Sequence, residues 1–386
     1  MNMFKKSLIA VAALSALAGS AMAADVQIYG RIDTGLRFTG TNYDQATKAD
    51  DTKFEMSSGN YTGNRVGIKG SEDLGNGLTV GFVLENGYDS DAGTEKYDGL
   101  FGREAIVYLE GDFGKIAAGK MGILNSTAGS FGIGKFNPFA TGWGEVGNQT
   151  HLWGAGFETR YNNMLAYSSP EFAGFKVYAQ YSFGSDVKND EGDVIGREGK
   201  TTTDRYYALG ATYTNGGLNL IGIVDSVNEA HRADMNQEPE DTFRVTVGGS
   251  YDFGVVKPYL SVAYFKDGEI SAPFGNFGTS YADGLEDKDW EGYAVALGAS
   301  APVLGGTAHG MVGYMDAEGE AVDGAFPKDD FTRWMVGFGY EYPLSKRTLV
   351  YADAGYFKDE YKSNWKNTPK DKPDAYQAAI GLVHMF

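Results

Sequence analysis

Apolar and polar side chains alternate along residues 26–38 of this 386-residue chain. One parity is apolar and the other polar: Val26, Ile28, Ile32, Leu36 and Phe38 against Gln27, Arg31, Asp33 and Arg37. A repeat of two residues is typical of a β-strand that lies between two different environments. Further segments show the same signal, and together they predict sixteen strands. The other segments are 64–71, 78–88, 101–110, 113–120, 161–168, 174–183, 204–214, 217–227, 242–253, 255–266, 290–300, 306–315, 331–342, 347–358 and 374–386.

Short and long connections follow one another between these segments. The short ones are 72–77, 110–114, 169–174, 214–217, 252–254, 301–306 and 342–346. The long polar ones are 40–60, 89–99, 121–160, 185–203, 228–241, 267–289, 316–330 and 359–373. This alternation is what an antiparallel transmembrane barrel requires, with short turns in the periplasm and long loops outside. A soluble β-sandwich is the alternative, but it needs no such alternation.

The final segment, 374–386, favours the membrane reading. Its outer parity carries Ile380, Leu382 and Phe386, and the chain stops on that aromatic residue. Aromatic girdles at both membrane interfaces are typical of a transmembrane β-barrel. The sequence therefore predicts an all-β protein, a 16-stranded antiparallel transmembrane barrel.

The N-terminus is predicted to be a cleaved targeting segment. Lys5 and Lys6 precede an apolar run that is too short to span a bilayer, and residues 21–23 read Ala-Met-Ala. This is the layout of a secretory signal peptide cut after Ala23. We expect residues 1–23 to be removed and residues 24–386 to form the barrel.

Composition narrows the class further. The 55 glycines, 25 tyrosines and 23 phenylalanines suit many short strands with aromatic faces. Without Lys5 and Lys6 the basic residues fall from 33 to 31 against 51 acidic ones, a net charge of −20. Nucleic acid is therefore not an expected partner, because phosphate binding needs a positive surface. The chain has no cysteine, so an exported protein of this kind depends on its hydrogen-bond network.

The sequence offers no catalytic constellation. Its four histidines are scattered singly, without the spacing of a zinc site, and no G-x-S-x-G elbow occurs. We expect no enzyme activity, no cofactor and no metal site. Sixteen strands leave a barrel wide enough for an aqueous channel. The first strand begins close to the predicted mature terminus, so no plug domain is expected.

Several ordered stretches resemble the general, non-specific porins of Gram-negative outer membranes, of the β-proteobacterial type. They are 24–38, 64–89, 100–120, 167–184 and the Phe-terminated end. The resemblance implies a homotrimer whose third loop folds inward, passive diffusion of small hydrophilic solutes and ions, and contact with lipopolysaccharide and outer-membrane lipid. It also implies recognition by the barrel-assembly machinery through the strand ending at Phe386. A solute-selective channel of the same fold and a surface adhesin with an incidental pore stay open as alternatives.

The third long loop, 121–160, is unusually apolar for a segment exposed to water. Its large apolar side chains are Phe131, Ile133, Phe136, Phe139, Trp143, Leu152, Trp153 and Phe157. An exposed apolar patch of this kind usually marks an interface. We expect these side chains to pack against the inner barrel wall. A loop clamped over a neighbouring subunit is the alternative.

Charged residues of inward parity are the candidates for a pore constriction. Arg31 and Arg65 lie opposite the lipid parity of their strands. The resemblance adds Arg103, Lys120 and Arg160 to this basic set, although Arg103 shares its parity with the apolar residues at 105, 107 and 109. Within the third loop the charged candidates are Lys135 and Glu145, with Glu158 the only other acid. The resemblance implies several acids in this loop, and because only two are present we do not expect a strong transverse field.

Acidic clusters at 185–204 and 281–291 belong to the predicted external loops. Two interpretations stay open. The carboxylates either bridge to lipopolysaccharide phosphates through divalent cations, or they are solvated, mutually repelling loop residues.

Overall fold

The computed structural model describes residues 25–42, 51–97, 99–140, 142–146, 149–153, 157–188, 194–230, 240–271, 288–321, 328–362 and 372–386. The predicted signal peptide, residues 1–23, lies outside these ranges. The acidic cluster at 281–291 lies largely outside them, and that at 185–204 partly so.

The described ranges contain twenty strands and one short 3₁₀ turn, Gln149–Leu152. The first ten strands are β1 (Gln27–Asn42), β2 (Asp51–Ser58), β3 (Arg65–Gly75), β4 (Leu78–Asp89), β5 (Thr94–Glu95), β6 (Glu104–Gly111), β7 (Gly114–Gly122), β8 (Arg160–Ser168), β9 (Phe175–Ser182) and β10 (Val187–Lys188). The others are β11 (Val194–Gly196), β12 (Arg205–Asn215), β13 (Leu218–Asn228), β14 (Thr242–Tyr251), β15 (Lys257–Gly268), β16 (Lys288–Val303), β17 (Gly306–Ala321), β18 (Asp329–Pro343), β19 (Thr348–Lys362) and β20 (Asp374–Met385).

The long strands pair antiparallel with their neighbours in chain order and form a closed barrel. The short strand β5 extends a loop from β4, and β10 and β11 form a separate two-stranded ribbon. The strands β2 and β3 both pair with β1, at different heights, and together make the second barrel strand. Counted in this way, the described part of the chain has the predicted sixteen barrel strands, and the prediction of the fold is confirmed.

Closure depends on the pairing of β1 with β20. The paired residues run from Arg31 opposite Met385 to Asn42 opposite Asp374. At the lower end the amide of Gly30 donates to the Phe386 carbonyl at 3.0 Å, and the Phe386 amide returns a bond at 3.1 Å. In lipid each unpaired backbone group costs several kcal/mol, so the last residue of the chain removes an open sheet edge.

The two parities of the strands face opposite environments, as the alternation predicts. On the outer face Ile28 is 61% exposed and Leu297 is 54% exposed. On the inner face Asp33 is fully buried and Gln377 is 2% exposed. The barrel therefore presents apolar side chains outward and polar side chains inward. Among the described residues, no helix has the length and apolar character needed to cross a membrane.

Three of the predicted long connections differ from the prediction. The expected loop 40–60 contains β2, so the second barrel strand is longer than predicted and is interrupted at residues 59–64. The strands β16 and β17 extend into the predicted loops 267–289 and 316–330, because their pairing continues to Lys288 opposite Ala321. Strand ends in water need no apolar face, so the alternation signal stops before the hydrogen bonds do.

A positive charge on the outer face should destabilise the barrel according to its depth in the bilayer. Leu297→Arg places a guanidinium at mid-strand on the outer face, and we expect a loss of about 2–4 kcal/mol in unfolding free energy. Leu304→Arg, in the turn of the same hairpin, is the matched control, with an expected loss of about 0–1 kcal/mol near the interface. Urea unfolding in liposomes measures both. Equal losses would contradict the membrane placement.

Candidate pore constriction

The third long loop, between β7 and β8, folds into the barrel. Its buried apolar side chains are Ile123, Leu124, Phe131, Phe136, Phe139, Trp143, Val146, Leu152 and Trp153. All of them except Val146 join one apolar cluster with inward residues of the wall, such as Met311 and Phe357. The predicted inward folding is confirmed, and the alternative of a loop clamped over a neighbour is wrong for these residues.

Glycines on the inner wall make room for this loop. A methyl group built on Gly248 would lie 2.8 Å from the Phe136 ring, and one on Gly355 would lie 2.5 Å from the Val146 side chain. The same close approach occurs at Gly298 under Pro138, Gly313 under Leu152 and Gly339 under Trp143. The wall is therefore shaped to hold the loop at a fixed depth.

Polar anchors fix the position of the loop along the wall. Near its start, the Leu124 amide donates to Gln180 at 2.8 Å. Near its far end, Arg333 donates to the His151 carbonyl at 2.9 Å. The same guanidinium makes a two-pronged ion pair with Asp359 at 2.8 and 2.7 Å, and both side chains are fully buried. A paired buried guanidinium of this kind is geometrically specific.

Four of the predicted basic residues lie together on the wall that faces the loop. Arg31 and Arg65 are directly paired across β1 and β3. Arg65 also lies within electrostatic range of Arg103 and Arg160. Like charges placed opposite each other on a sheet repel. The arrangement therefore needs acceptors between the guanidinium groups.

Neutral and acidic groups supply those acceptors. The Thr62 hydroxyl accepts from Arg31 at 2.9 Å and from Arg65 at 3.2 Å. Glu85 accepts from Arg103 at 2.6 Å and lies 3.8 Å from Arg65. We call Arg31, Arg65, Arg103 and Arg160 the arginine row.

Arg160 is joined to the row through backbone and ring contacts. Its Nε donates to the Arg103 carbonyl at 2.9 Å. The guanidinium carbons of Arg103 and Arg160 lie 5.7 and 5.0 Å from the centre of the Tyr97 ring. An aromatic face attracts a cation at such distances, so Tyr97 holds two like charges near one another.

The parity difficulty at Arg103 disappears in the structure. β6 begins at Glu104, so Arg103 precedes the pleated segment and need not follow its alternation. Within the strand Val107 points outward, 54% exposed, while Glu104 is buried on the inner side. Arg103 itself is buried and directed to Glu85.

The other three predicted site residues lie apart from the arginine row. Lys120 donates to Asn162 at 2.9 Å near the upper ends of β7 and β8. Lys135 is exposed on the third loop. Glu145 contacts the His151 ring within the loop, so its carboxylate is already engaged.

Sequence reasoning missed several members of the site. Glu85 and Glu104 are the carboxyls that accompany the row, and Glu104 also accepts from the Ser130 amide of the third loop at 2.8 Å. Their inward parity could have revealed them. Tyr97 lies in the predicted loop 89–99, and Thr62 lies between the predicted loop 40–60 and the predicted strand 64–71, where alternation gives no information. In the described part of the chain no group of three His, Cys, Asp or Glu side chains could hold a metal ion.

The fold and the inward loop define a channel-forming β-barrel of the outer membrane. The family described as Gram-negative porin matches residues 10–362. An outer membrane porin protein of Bordetella pertussis is 33% identical over 410 aligned residues, which cover 99% of this chain and all of the relative. The chain therefore belongs to the Gram-negative porin family.

Solved structures agree on the fold. The anion-selective porin from Comamonas acidovorans has a TM-score of 0.67 at 24% identity, covering 94% of this chain and 100% of the other. The trimer form of OmpT, an outer membrane protein of Vibrio cholerae, has a TM-score of 0.54 at 17% identity, covering 93% and 99%. As a porin, the protein is a channel of the outer membrane for passive diffusion of small hydrophilic solutes and ions, and the family and fold are those of channels, not of enzymes.

The fit between wall glycines and the loop leads to a conductance prediction. Gly355→Ala should push the Val146 region of the loop toward the lumen, because the wall leaves no space for the added methyl group. We expect a lower single-channel conductance. Gly222→Ala is the matched control, since its nearest neighbour is a Val247 carbon at 3.9 Å. Unchanged conductance in Gly355→Ala would show that the loop is not held by the wall.

Proposed function

We propose that this porin is a general diffusion channel with a weak to moderate preference for anions, set at a constriction between the arginine row and the third loop. The observation that carries the proposal is the row itself, four guanidinium groups accompanied by the carboxyls of Glu85 and Glu104. Lys135 adds positive charge on the third loop, whereas Lys120 shares the outward parity of Ile116 in β7. Glu145 adds little because His151 engages it.

The net charge of the chain, −18 with its signal segment, points the other way. Many of its acids belong to the predicted long external loops, and we expect them to act from beyond one Debye length of about 8 Å. Charges that line a narrow aqueous passage act over a few Å, with low-dielectric walls that focus the field. Local charge should therefore dominate, and the acidic loops should reduce the preference at low salt.

The likeness to a porin described as anion-selective is too distant to carry this proposal. At 24% identity it concerns the fold alone. The arginine row of this chain supports the anion preference, and the sign of that preference can be measured directly.

Reversal potentials across a salt gradient in planar bilayers test the ion preference. The wild type should give an anion-selective sign, and Arg31→Gln with Arg65→Gln should shift it toward cations, because two lumenal charges are removed. Lys346→Gln with Arg347→Gln removes the same charge from a periplasmic turn and should shift it less. Detergent-resistant oligomers on unboiled gels control for folding. A reversal potential unaffected by the double arginine variant would place those two side chains away from the ion path.

Solute specificity needs a separate measurement. Swelling of proteoliposomes in sugars of graded size should follow solute size, because the proposed constriction selects by width and charge. Strong preference for one sugar would favour a solute-selective channel of the same fold. No swelling would favour a surface adhesin with an incidental pore.

We further propose that the chain is exported by a cleaved signal peptide, residues 1–23, and assembles as a homotrimer. The trimer form of OmpT supports self-association of this fold. Lipopolysaccharide and outer-membrane lipid are the proposed partners of the apolar outer face. The barrel-assembly machinery is the proposed partner of β20, whose terminal Phe386 makes the closing backbone bonds.

A further inference from the structure

Residues 59–64 interrupt the second barrel strand and turn into the lumen. β2 ends at Ser58 and β3 begins at Arg65, and both pair with the same strand, β1. The six residues between them, Gly-Asn-Tyr-Thr-Gly-Asn, carry no charge. We call them the covering segment.

Three successive residues of this segment each donate a hydrogen bond to a carboxyl group on a different wall strand. The Asn60 amide donates to Asp353 of β19 at 2.7 Å. The Tyr61 hydroxyl donates to Glu341 of β18. The Thr62 backbone amide donates to Asp33 of β1 at 2.8 Å.

These contacts remove Asp33 and Asp353 from the water of the lumen and partly cover Glu341. Asp33 is fully buried, Asp353 is 6% exposed and the Glu341 side chain is 24% exposed. Two of the carboxyls also accept hydrogen bonds from side chains of the barrel wall. Tyr351 donates to Asp33 at 2.9 Å and Gln377 donates to Asp353 at 2.6 Å.

The same segment presents acceptors, not donors, to the arginine row. The Thr62 hydroxyl accepts from Arg31 and Arg65, and the Gly63 carbonyl accepts from Arg65 at 3.1 Å. The segment therefore orients two guanidinium groups without cancelling their charge, because both acceptors are neutral. On one side it donates hydrogen bonds to carboxyls, and on the other it accepts hydrogen bonds from guanidinium groups.

The third loop holds the covering segment in place. The amides of Trp143 and Gly144 donate to the carbonyls of Tyr61 and Asn60 at 3.2 and 2.5 Å. The Tyr61 ring packs on Trp143 and on Tyr351, with centroids 4.6 and 5.4 Å apart. The constriction thus has two inward elements that are joined at these contacts.

We propose that the covering segment determines ion selectivity by masking the carboxyls of Asp33, Asp353 and Glu341 from the permeation path. Without it, the wall formed by β18, β19, β20 and β1 would present these carboxyls to the lumen beside the arginine row. The pore would then carry both signs of charge at one height. The inference rests on the proposed function, since it assumes that ions pass this constriction.

Removal of the covering side chains tests the proposal. Asn60→Ala with Tyr61→Ala should raise single-channel conductance and shift the reversal potential toward cations, because two carboxyls become exposed. Addition of Asp353→Asn and Glu341→Gln should reverse the shift and leave the conductance high. A folded double variant without a shift, or a shift that persists after the carboxyls are neutralised, would overturn the proposal.

Tyr178→Ala is the matched control for a wider lumen. Tyr178 lies on the inward face of β9, and the ammonium nitrogen of Lys176 lies 5.7 Å from the centre of its ring. Its loss should affect conductance without uncovering these carboxyls. A shift toward cations as large as that of the double variant would count against masking.

A conservative variant keeps the test valid if the double variant does not fold. Tyr61→Phe retains the ring contacts with Trp143 and Tyr351 but loses the hydroxyl that covers Glu341. We expect a smaller shift toward cations, abolished by Glu341→Gln in the same chain. An equal shift with and without Glu341→Gln would overturn the proposal. The sign of the wild-type reversal potential tests the proposed anion preference, whereas the direction of these shifts tests the masking.

Discussion

Backbone hydrogen bonding in a medium without water is the constraint on which this structure depends. A strand edge left open in hydrocarbon costs several kcal/mol for each unpaired group, so the sheet must close on itself. Here the first and last strands meet along most of their length, and the closing bonds join Gly30 to the final residue, Phe386. Once the sheet is closed, every residue has one of two environments, and the alternation of side chains follows.

A barrel of sixteen strands is wider than its wall side chains can fill, so another element must narrow the interior. The third loop narrows it by packing apolar side chains against the inner wall, over glycines such as Gly248 and Gly355. Deeply buried ion pairs, such as Arg333 with Asp359, hold the loop from the other side. The width of the passage is therefore set by packing inside the barrel as well as by strand number.

Much of the fold could be predicted from the sequence because the lipid imposes a local pattern. The number of barrel strands, the outward parity of β1 and β20 and the inward third loop all follow from adjacent residues. β2 was missed because its outward apolar signal is limited to Phe54 and Met56, which is too short a run to predict a strand. The covering segment could not be predicted, since Asn60 and Tyr61 bond to residues 293 and 280 positions away. The inward direction of Arg103 could not be predicted from parity, because β6 begins one residue later, at Glu104.

Charge counting on a sequence is a poor guide to the field inside such a pore, because most inward charges are already paired. Asp225 is bonded to Arg244 and Asp359 to Arg333, and none of these four side chains is more than 4% exposed. The field in the lumen comes from the inward charges that are left after this pairing. The covering segment donates hydrogen bonds to carboxyls and accepts them from guanidinium groups. It therefore changes which charges face the lumen without adding a charge of its own. Under the proposed masking, selectivity in this barrel depends on which hydrogen bonds are made, and six uncharged residues act on it together with the arginines.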